Sequence, residues 1–213
     1  MTQIGVKGVP ETGWIDQIDF FELDALDPRL VSSFGRKKIE GRLLPHQKIT
    51  LSFGHFFLRG SDSTDRRERA RLALEKFQQH GAQSSSILVP PSLQSSPELY
   101  ESLKYFRDEF KNQKLPPPRV DTSCGKELPL ERVGDPVWGN TKDEYLTKEW
   151  RIHGHHATRW VRLYSKEALV DLSQKTKLHL PERIIFAHSQ RFLQAVEFSA
   201  LLNKNLPNLR MTQ

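Results

Sequence analysis

A short alternating segment near the C-terminus, followed by two helical patterns, limits how this chain can fold. Polar and apolar residues alternate over Thr158–Tyr164, which predicts a strand. Ser165 then begins one helical stretch and Pro181 a second. The apolar positions of these two stretches are Leu169, Leu172, Ile184, Ile185, Phe192 and Val196. A lone strand leaves its backbone groups without partners, and so small a segment cannot bury its own apolar side. The pattern therefore predicts a two-fold dimer with two antiparallel strands above four helices.

This layout resembles the ribbon-helix-helix DNA-binding family of the MetJ and Arc type. The resemblance covers Thr158 to about Val196 and lies in Val161-Arg162-Leu163, Leu169-x-x-Leu172, Leu180 and Ile184-Ile185. Regulators of conjugative plasmids and integrative elements are similar in placing such a ribbon inside a larger chain. The fold expected from the resemblance is α+β, with an N-terminal mixed α/β body and a C-terminal ribbon-helix-helix module in a homodimer.

The resemblance also implies which side chains contact DNA. The ribbon would present base-reading residues to the major groove, with Arg162 facing guanine O6 and N7. Backbone N–H groups around Arg183, at the expected start of the second helix, would hold a phosphate. The full expected contact set is Thr158, Arg159, Trp160, Arg162, Lys166 and Arg183. The alternative is a helical hairpin that dimerises or caps the body without contacting DNA.

The net charge of +6 is concentrated in the last third of the chain. Residues 151–213 hold ten basic and four acidic residues, so the first 150 residues are neutral overall. A basic segment attached to a neutral body suggests a module that binds a polyanion. On charge alone, a solvated basic surface explains the count equally well.

The rest of the chain is interpreted in two parts, which gives domains at 1–113, 114–150 and 151–213. In the first, Lys48–Phe53 alternates as a half-buried strand, and residues 61–79 form a helix with Gly81 after its end. Ser96 caps a further helix whose buried face is Leu99, Leu103, Phe106 and Phe110. Residues 114–150 contain a proline run and scattered glycines, and they predict a connecting region. The N-terminal body would brace the dimer or contact a protein partner.

A histidine cluster provides the main alternative to a regulator. His153, His155 and His156 could bind Zn²⁺ or Ni²⁺, which would suit a metal-dependent nucleic-acid enzyme. No cysteine is close to the cluster, and no acidic residue falls between Arg151 and Arg162, although a metal nuclease generally needs carboxylates. We therefore expect no cofactor and no resident metal. A third hypothesis is a non-catalytic subunit of a nucleoprotein assembly.

Other classes are excluded by absence of their signals. No apolar run approaches the ~20 residues that span a bilayer, and the N-terminus carries no apolar signal region. A single cysteine, Cys124, permits no internal disulfide, so we expect a cytoplasmic protein without a membrane partner. The sequence predicts a non-enzymatic, sequence-specific regulator of transcription that binds double-stranded DNA, of the kind that controls mobile-element transfer genes.

Overall fold

The computed structural model describes residues 2–9, 16–94, 96–122, 127–137, 146–153, 164–188 and 190–204. Within these residues the chain forms two compact units. Unit 1 combines residues 1–20 with residues 134–213, and unit 2 consists of residues 21–133. These bounds differ from the predicted division at residues 113 and 150, because the two ends of the chain belong to the same unit.

Short strands alternate with helices along the described chain. The strands are β1 (Gln3–Lys7), β2 (Phe20–Asp24), β3 (Lys48–Phe53), β4 (Ser85–Leu88), β5 (Arg119–Asp121), β6 (Glu149–Ile152) and β7 (Arg183–Phe186). The helices are α1 (Pro28–Val31), α2 (Ser33–Glu40), α3 (His55–Leu58), α4 (Ser63–Gln79), α5 (Pro97–Asn112), α6 (Lys166–His179) and α7 (Arg191–Lys204), with a 3₁₀ turn at Pro91–Leu93. Such alternation is typical of proteins built on parallel sheets.

In unit 1 the last strand among the described residues pairs with the first. β7 lies between β1 and β6, and both of its neighbours run parallel to it. The register aligns Gln3, Arg183 and Glu149 in one row, and Gly5, Ile185 and Arg151 in the next but one. The Thr2 hydroxyl donates to the Pro181 carbonyl at 2.8 Å, which fixes the start of this pairing.

In unit 2 the strands follow one another in chain order, with β2 beside β3, β3 beside β4 and β4 beside β5. The β3–β4 and β4–β5 pairs are parallel. One face of these strands packs against helices: the Phe53 ring lies 5.1 Å from Phe57, 5.8 Å from Phe106 and 6.4 Å from Phe110, centroid to centroid. This aromatic cluster forms the core of the unit.

The helices that begin with polar caps are predicted well by the sequence. The Ser96 hydroxyl accepts from the Glu98 amide at the start of α5, and Leu99, Leu103, Phe106 and Phe110 are all buried. The Asp62 carboxylate caps α4, and Gly81 beyond its end has φ +57°. Ser165 caps α6, where Leu169 and Leu172 are buried. In each case a side-chain cap and an apolar stripe lie within one short stretch of sequence.

The prediction of a second helix starting at Pro181 in the C-terminal module is wrong. Ile184 and Ile185 lie in strand β7, and a helix begins again only at Arg191. The described residues of the predicted connecting region, 114–150, include β5 and the first half of β6. The single alternating strand of the prediction falls almost wholly in residues 154–163, which lie outside the described residues. A chain whose last strand pairs in parallel with its first is not a body with an appended ribbon-helix-helix module.

None of the helices in the described part of the chain is both long enough and apolar enough to cross a bilayer.

Candidate active site

The strands of unit 1 have one apolar face and one polar face. On the apolar face, Phe186 packs against Phe198 of α7 with ring centroids 5.5 Å apart, and Trp150 lies 6.3 Å from the His179 ring of α6. Side chains alternate along a strand, so Glu149, Arg151 and Arg183 lie on the opposite face, away from these two helices. Charged residues on that face are unusual in a parallel sheet, which is normally apolar on both sides.

An ion pair stabilises the polar face at the first of the aligned rows. An Arg183 guanidinium nitrogen lies 2.6 Å from a Glu149 carboxylate oxygen. The side chains of Arg183 and Glu149 are only 13% and 2% exposed. Because both side chains are largely shielded from water, each charge helps to compensate the other.

Basic and imidazole side chains follow toward the carboxyl ends of the three strands. Arg151, two residues after Glu149, is 1% exposed. His153 follows two residues later, and the register places Lys7 at the corresponding end of β1. Strand alternation puts all three on the polar face. Lys7, Arg151 and His153 together combine two cationic groups with an imidazole, and we refer to these three residues as the carboxyl-edge set.

Unit 2 has a polar strand face of its own. The buried Glu22 carboxylate accepts a 2.6 Å hydrogen bond from the Ser86 hydroxyl, and Ser52 is also buried. The register places Ser52, Ser86 and Arg119 side by side on β3, β4 and β5. The Arg119 guanidinium lies 3.5 Å from the Glu131 carboxylate. These contacts satisfy the buried carboxylate and hydroxyls, so this face is ordered by its own hydrogen bonds.

Most of the predicted DNA-contacting residues are outside the described residues: Thr158, Arg159, Trp160 and Arg162, together with His155 and His156 of the histidine cluster. Lys166 is exposed at the first position of α6. Arg183 was predicted to lie at the start of a helix, but it lies within β7 and pairs with Glu149. His153 lies one residue beyond β6. In the described part of the chain, no three His, Cys, Asp or Glu side chains lie together as a metal site would require.

The sequence interpretation missed Lys7, Glu149 and Arg151. Lys7 ends a short segment that carries no amphipathic pattern, Glu149 lies in the stretch interpreted as a connecting region, and Arg151 is the first residue of the predicted C-terminal module. One signal was available: Ile184-Ile-Phe-Ala187 is a short apolar run after a proline, which is consistent with a fully buried parallel strand.

Comparisons of the fold lead to the same architecture. No family model matches this chain, and no curated protein is similar to it in sequence. A DUF72 family protein from Thermotoga maritima MSB8 has a TM-score of 0.61 at 17% identity, over 87% of this chain and 85% of that one. A DUF72 family protein from Enterococcus faecalis V583 has a TM-score of 0.60 at 12% identity, over 100% and 97%. SacUVDE has a TM-score of 0.56 at 9% identity, over 96% and 99%.

These likenesses show a parallel, TIM-barrel-like fold and correct the sequence predictions. The predicted α+β body with a ribbon-helix-helix module is wrong, because the C-terminal segment of this chain supplies a strand of the sheet and the likeness to these structures covers 87–100% of the chain. The predicted transcriptional regulator is wrong for the same reason. The expectation that the chain is not an enzyme is wrong as well, since it rested on the ribbon-helix-helix module that this fold replaces.

Proposed function

We propose that this protein is an enzyme that acts on a phosphate-bearing substrate at the carboxyl ends of β1, β6 and β7. The observation that carries the proposal is the parallel register of these strands, which brings Lys7 and His153 to the same edge, with Arg151 two residues before His153 on the same face. In TIM-barrel enzymes, active sites lie at the carboxyl ends of the strands because loops of different sequence converge there.

The three side chains have distinct roles in the proposal. Lys7, at the very end of β1, binds the substrate as a point charge. Arg151 is buried, so it contributes a fixed positive potential beneath the substrate rather than a flexible contact. His153 transfers the proton, because an imidazole ring can both donate and accept a hydrogen bond and is the side chain most often used for proton transfer.

The ion pair of Glu149 and Arg183 acts through its neighbours. Glu149 is the residue before Arg151 on the same face of β6, and Arg183 lies beside it on β7. Their 2.6 Å contact holds β6 and β7 in register. Glu149 and Arg183 are therefore positioning residues. Their contribution is to keep the Arg151 charge and the His153 ring at a fixed height on the strand edge.

Charge favours a phosphate group over a neutral substrate. The chain carries a net charge of +6, and the sequence excess of basic residues begins at Arg151 itself. A cationic site attracts anions and raises their local concentration. Nucleotides and DNA strands both carry phosphate groups, so the experiment uses both.

The test is a turnover screen with three kinds of phosphate compound: mononucleotides, sugar phosphates and a double-stranded DNA oligonucleotide. Products are detected by mass spectrometry for the wild-type chain, for Lys7→Met and for His153→Gln. The matched controls are Lys166→Met and His46→Gln, which replace an exposed lysine and an exposed histidine that are not among the three proposed site residues.

For the compound that is turned over, His153→Gln should lower kcat by about 10²–10⁴-fold, the usual contribution of a general acid–base group. Lys7→Met should act mainly on KM, and both controls should leave the rate unchanged. Turnover that survives His153→Gln at the wild-type rate, or the absence of turnover with every class of compound, would overturn the proposal.

A further inference from the structure

The first residue of α7 is a partly buried cation with no counter-charge in the described part of the chain. The Arg191 Nη1 donates to the His188 carbonyl at 3.2 Å, and the guanidinium lies 5.0 Å from the ring centroid of its neighbour Phe192. Its Nε is buried and makes no hydrogen bond within the described residues. Burial lowers the pKa of Arg191 from its ordinary value. Buried charges are normally paired, so this guanidinium lacks the anion that a folded protein would supply.

The adjacent histidine is buried in the same incomplete state. His188 follows β7 and is 1% exposed, and neither ring nitrogen has a hydrogen-bond partner among the described residues. The ring contacts Tyr164 and Phe186 at centroid distances of 5.6 and 6.0 Å. Burial, and then the nearby Arg191 charge, lower the pKa of His188 to about 4. At neutral pH the imidazole is therefore uncharged and keeps one N–H donor and one acceptor.

A glycine keeps the space beside Arg191 open. Gly8 directly follows β1, which pairs with β7, and its φ of +89° is strongly unfavourable for any residue with a side chain. A Cβ at this position would lie 3.2 Å from the Arg191 Nη2. The backbone of the β1 end can thus approach the guanidinium closely, as backbones do where they line a ligand site.

The helix itself adds a third favourable element. α7 is 14 residues long, and its first turn faces the same strand end as His188, because the Arg191 amide donates to the His188 carbonyl at 3.2 Å. The N-terminus of a helix of this length carries a partial positive charge and free amide donors. A buried histidine with unmet nitrogens, a cation without an anion and a helix N-terminus therefore meet at one point of unit 1.

We propose that Arg191, His188 and the first turn of α7 form a subsite for a phosphate monoester, with Gly8 opening room for it. A phosphate dianion accepts from a guanidinium, from an imidazole N–H and from helix amides, and it supplies the charge that Arg191 lacks. The subsite names the substrate class of the enzyme proposed above, and it rests on that proposal only in assigning the bound phosphate to the substrate.

The first measurement uses the wild-type chain. Inorganic phosphate and ribose 5-phosphate are titrated separately by calorimetry, and the His188 ring is followed by NMR with ¹⁵N-labelled histidine. We expect saturable binding of both probes and a pKa of His188 that rises on binding, because an adjacent anion favours the imidazolium. Chloride at equal ionic strength should leave the His188 signals unchanged.

The second measurement uses variants. Arg191→Met should weaken binding of both probes by about 10- to 100-fold, the range for losing a hydrogen bond to a charged group. The matched control is Arg67→Met, which removes an exposed arginine near the N-terminus of α4. His153→Gln should leave phosphate binding unchanged even where it abolishes turnover, which separates the subsite from the catalytic proposal.

Three outcomes would overturn the subsite. They are phosphate binding without any change at the His188 ring, equal affinity in the wild-type chain and in Arg191→Met, and binding of inorganic phosphate but not of ribose 5-phosphate. If Arg191→Met does not fold, Gly8→Ala provides the variant test, since its added methyl group crowds the guanidinium, and the wild-type NMR titration remains decisive. Turnover that depends on His153 without phosphate binding at His188 would refute the subsite and leave the proposed function intact.

Discussion

Replacing Arg183 tests the position of the C-terminal segment in the fold. Arg183→Met removes the guanidinium that lies 2.6 Å from the Glu149 carboxylate, and the Glu149 side chain is only 2% exposed in the structure. Breaking a buried ion pair from one side typically costs about 3–5 kcal/mol, because the remaining charge keeps its desolvation penalty. In the double variant Arg183→Met with Glu149→Gln, neither member of the ion pair is charged, so the double variant should be more stable than the single variant.

The expected change is large enough for equilibrium unfolding in urea. With a denaturant slope of about 2–3 kcal/mol/M for a chain of this size, the midpoint should fall by about 1–2.5 M. Tryptophan fluorescence reports the transition directly, since Trp150 is buried in β6 next to the pair. The control is Arg36→Met, which removes a 4.0 Å contact with Glu40. The side chains of Arg36 and Glu40 are 30% and 52% exposed. Exposed pairs of this kind contribute about 0–1 kcal/mol.

The result that refutes the reasoning is a midpoint for Arg183→Met that stays with the control. An arginine that merely projects from a DNA-binding surface changes stability by about 0.5 kcal/mol or less when it is replaced. The same experiment therefore distinguishes a strand residue in a parallel sheet from the phosphate contact that the sequence suggested.

Three further predictions concern the packing and titration of single residues. His188→Phe should remove an acid sensitivity of the fold. The lowered pKa of His188 makes the wild-type protein lose stability as the pH falls from about 6.5 to about 4, because the unfolded chain takes up the proton first. Urea midpoints of the two proteins at about pH 7 and about pH 4.5 measure this difference. Gly5→Ala should destabilise by about 1–3 kcal/mol, because the new Cβ would lie 2.2 Å from the Phe20 ring, and Phe20→Leu should restore part of the loss in the same unfolding assay. Phe106→Ala should cost about 3–5 kcal/mol in thermal or urea unfolding, whereas Tyr100→Ala, 53% exposed on the same helix, should cost little.

The elements that sequence reasoning recovered are those whose determinants are local. For α5, the Ser96 cap, the proline that follows it and the apolar stripe through Phe110 lie within 15 residues. The same holds for α4 and α6, where Asp62 and Ser165 provide the caps. A cap and a stripe specify a helix whatever the rest of the chain does.

Strand β7 was missed because its determinants are distant. Ile184 and Ile185 after a proline are equally compatible with one face of a helix and with a buried strand. The choice is made by pairing with β1, about 180 residues earlier, where Ile4 is aligned with Ile184 and the Thr2 hydroxyl reaches Pro181. No window of sequence contains both partners.

The candidate site was missed for the same reason. Lys7 and Arg151 are separated by most of the chain, and only the parallel register brings them to one edge of the sheet. His153 did draw attention, but as a metal ligand with His155 and His156, which lie outside the described residues. The neighbours that give His153 its proposed role come from other strands.

The interpretation of the basic C-terminal third failed because net charge says nothing about where charges lie. Arg151, Arg183 and Arg191 account for three of its ten basic residues, and the fold buries Arg151 and partly buries Arg183 and Arg191. A surface charge needs no partner, since water screens it, but a buried charge must be compensated. Arg183 is compensated by Glu149 from the chain itself. For Arg191 the described residues offer a carbonyl and an aromatic ring but no anion. The excess positive charge that first suggested DNA is thus partly an interior feature, and its position at a strand edge and a helix N-terminus favours a bound phosphate over a polyanion lying on the surface.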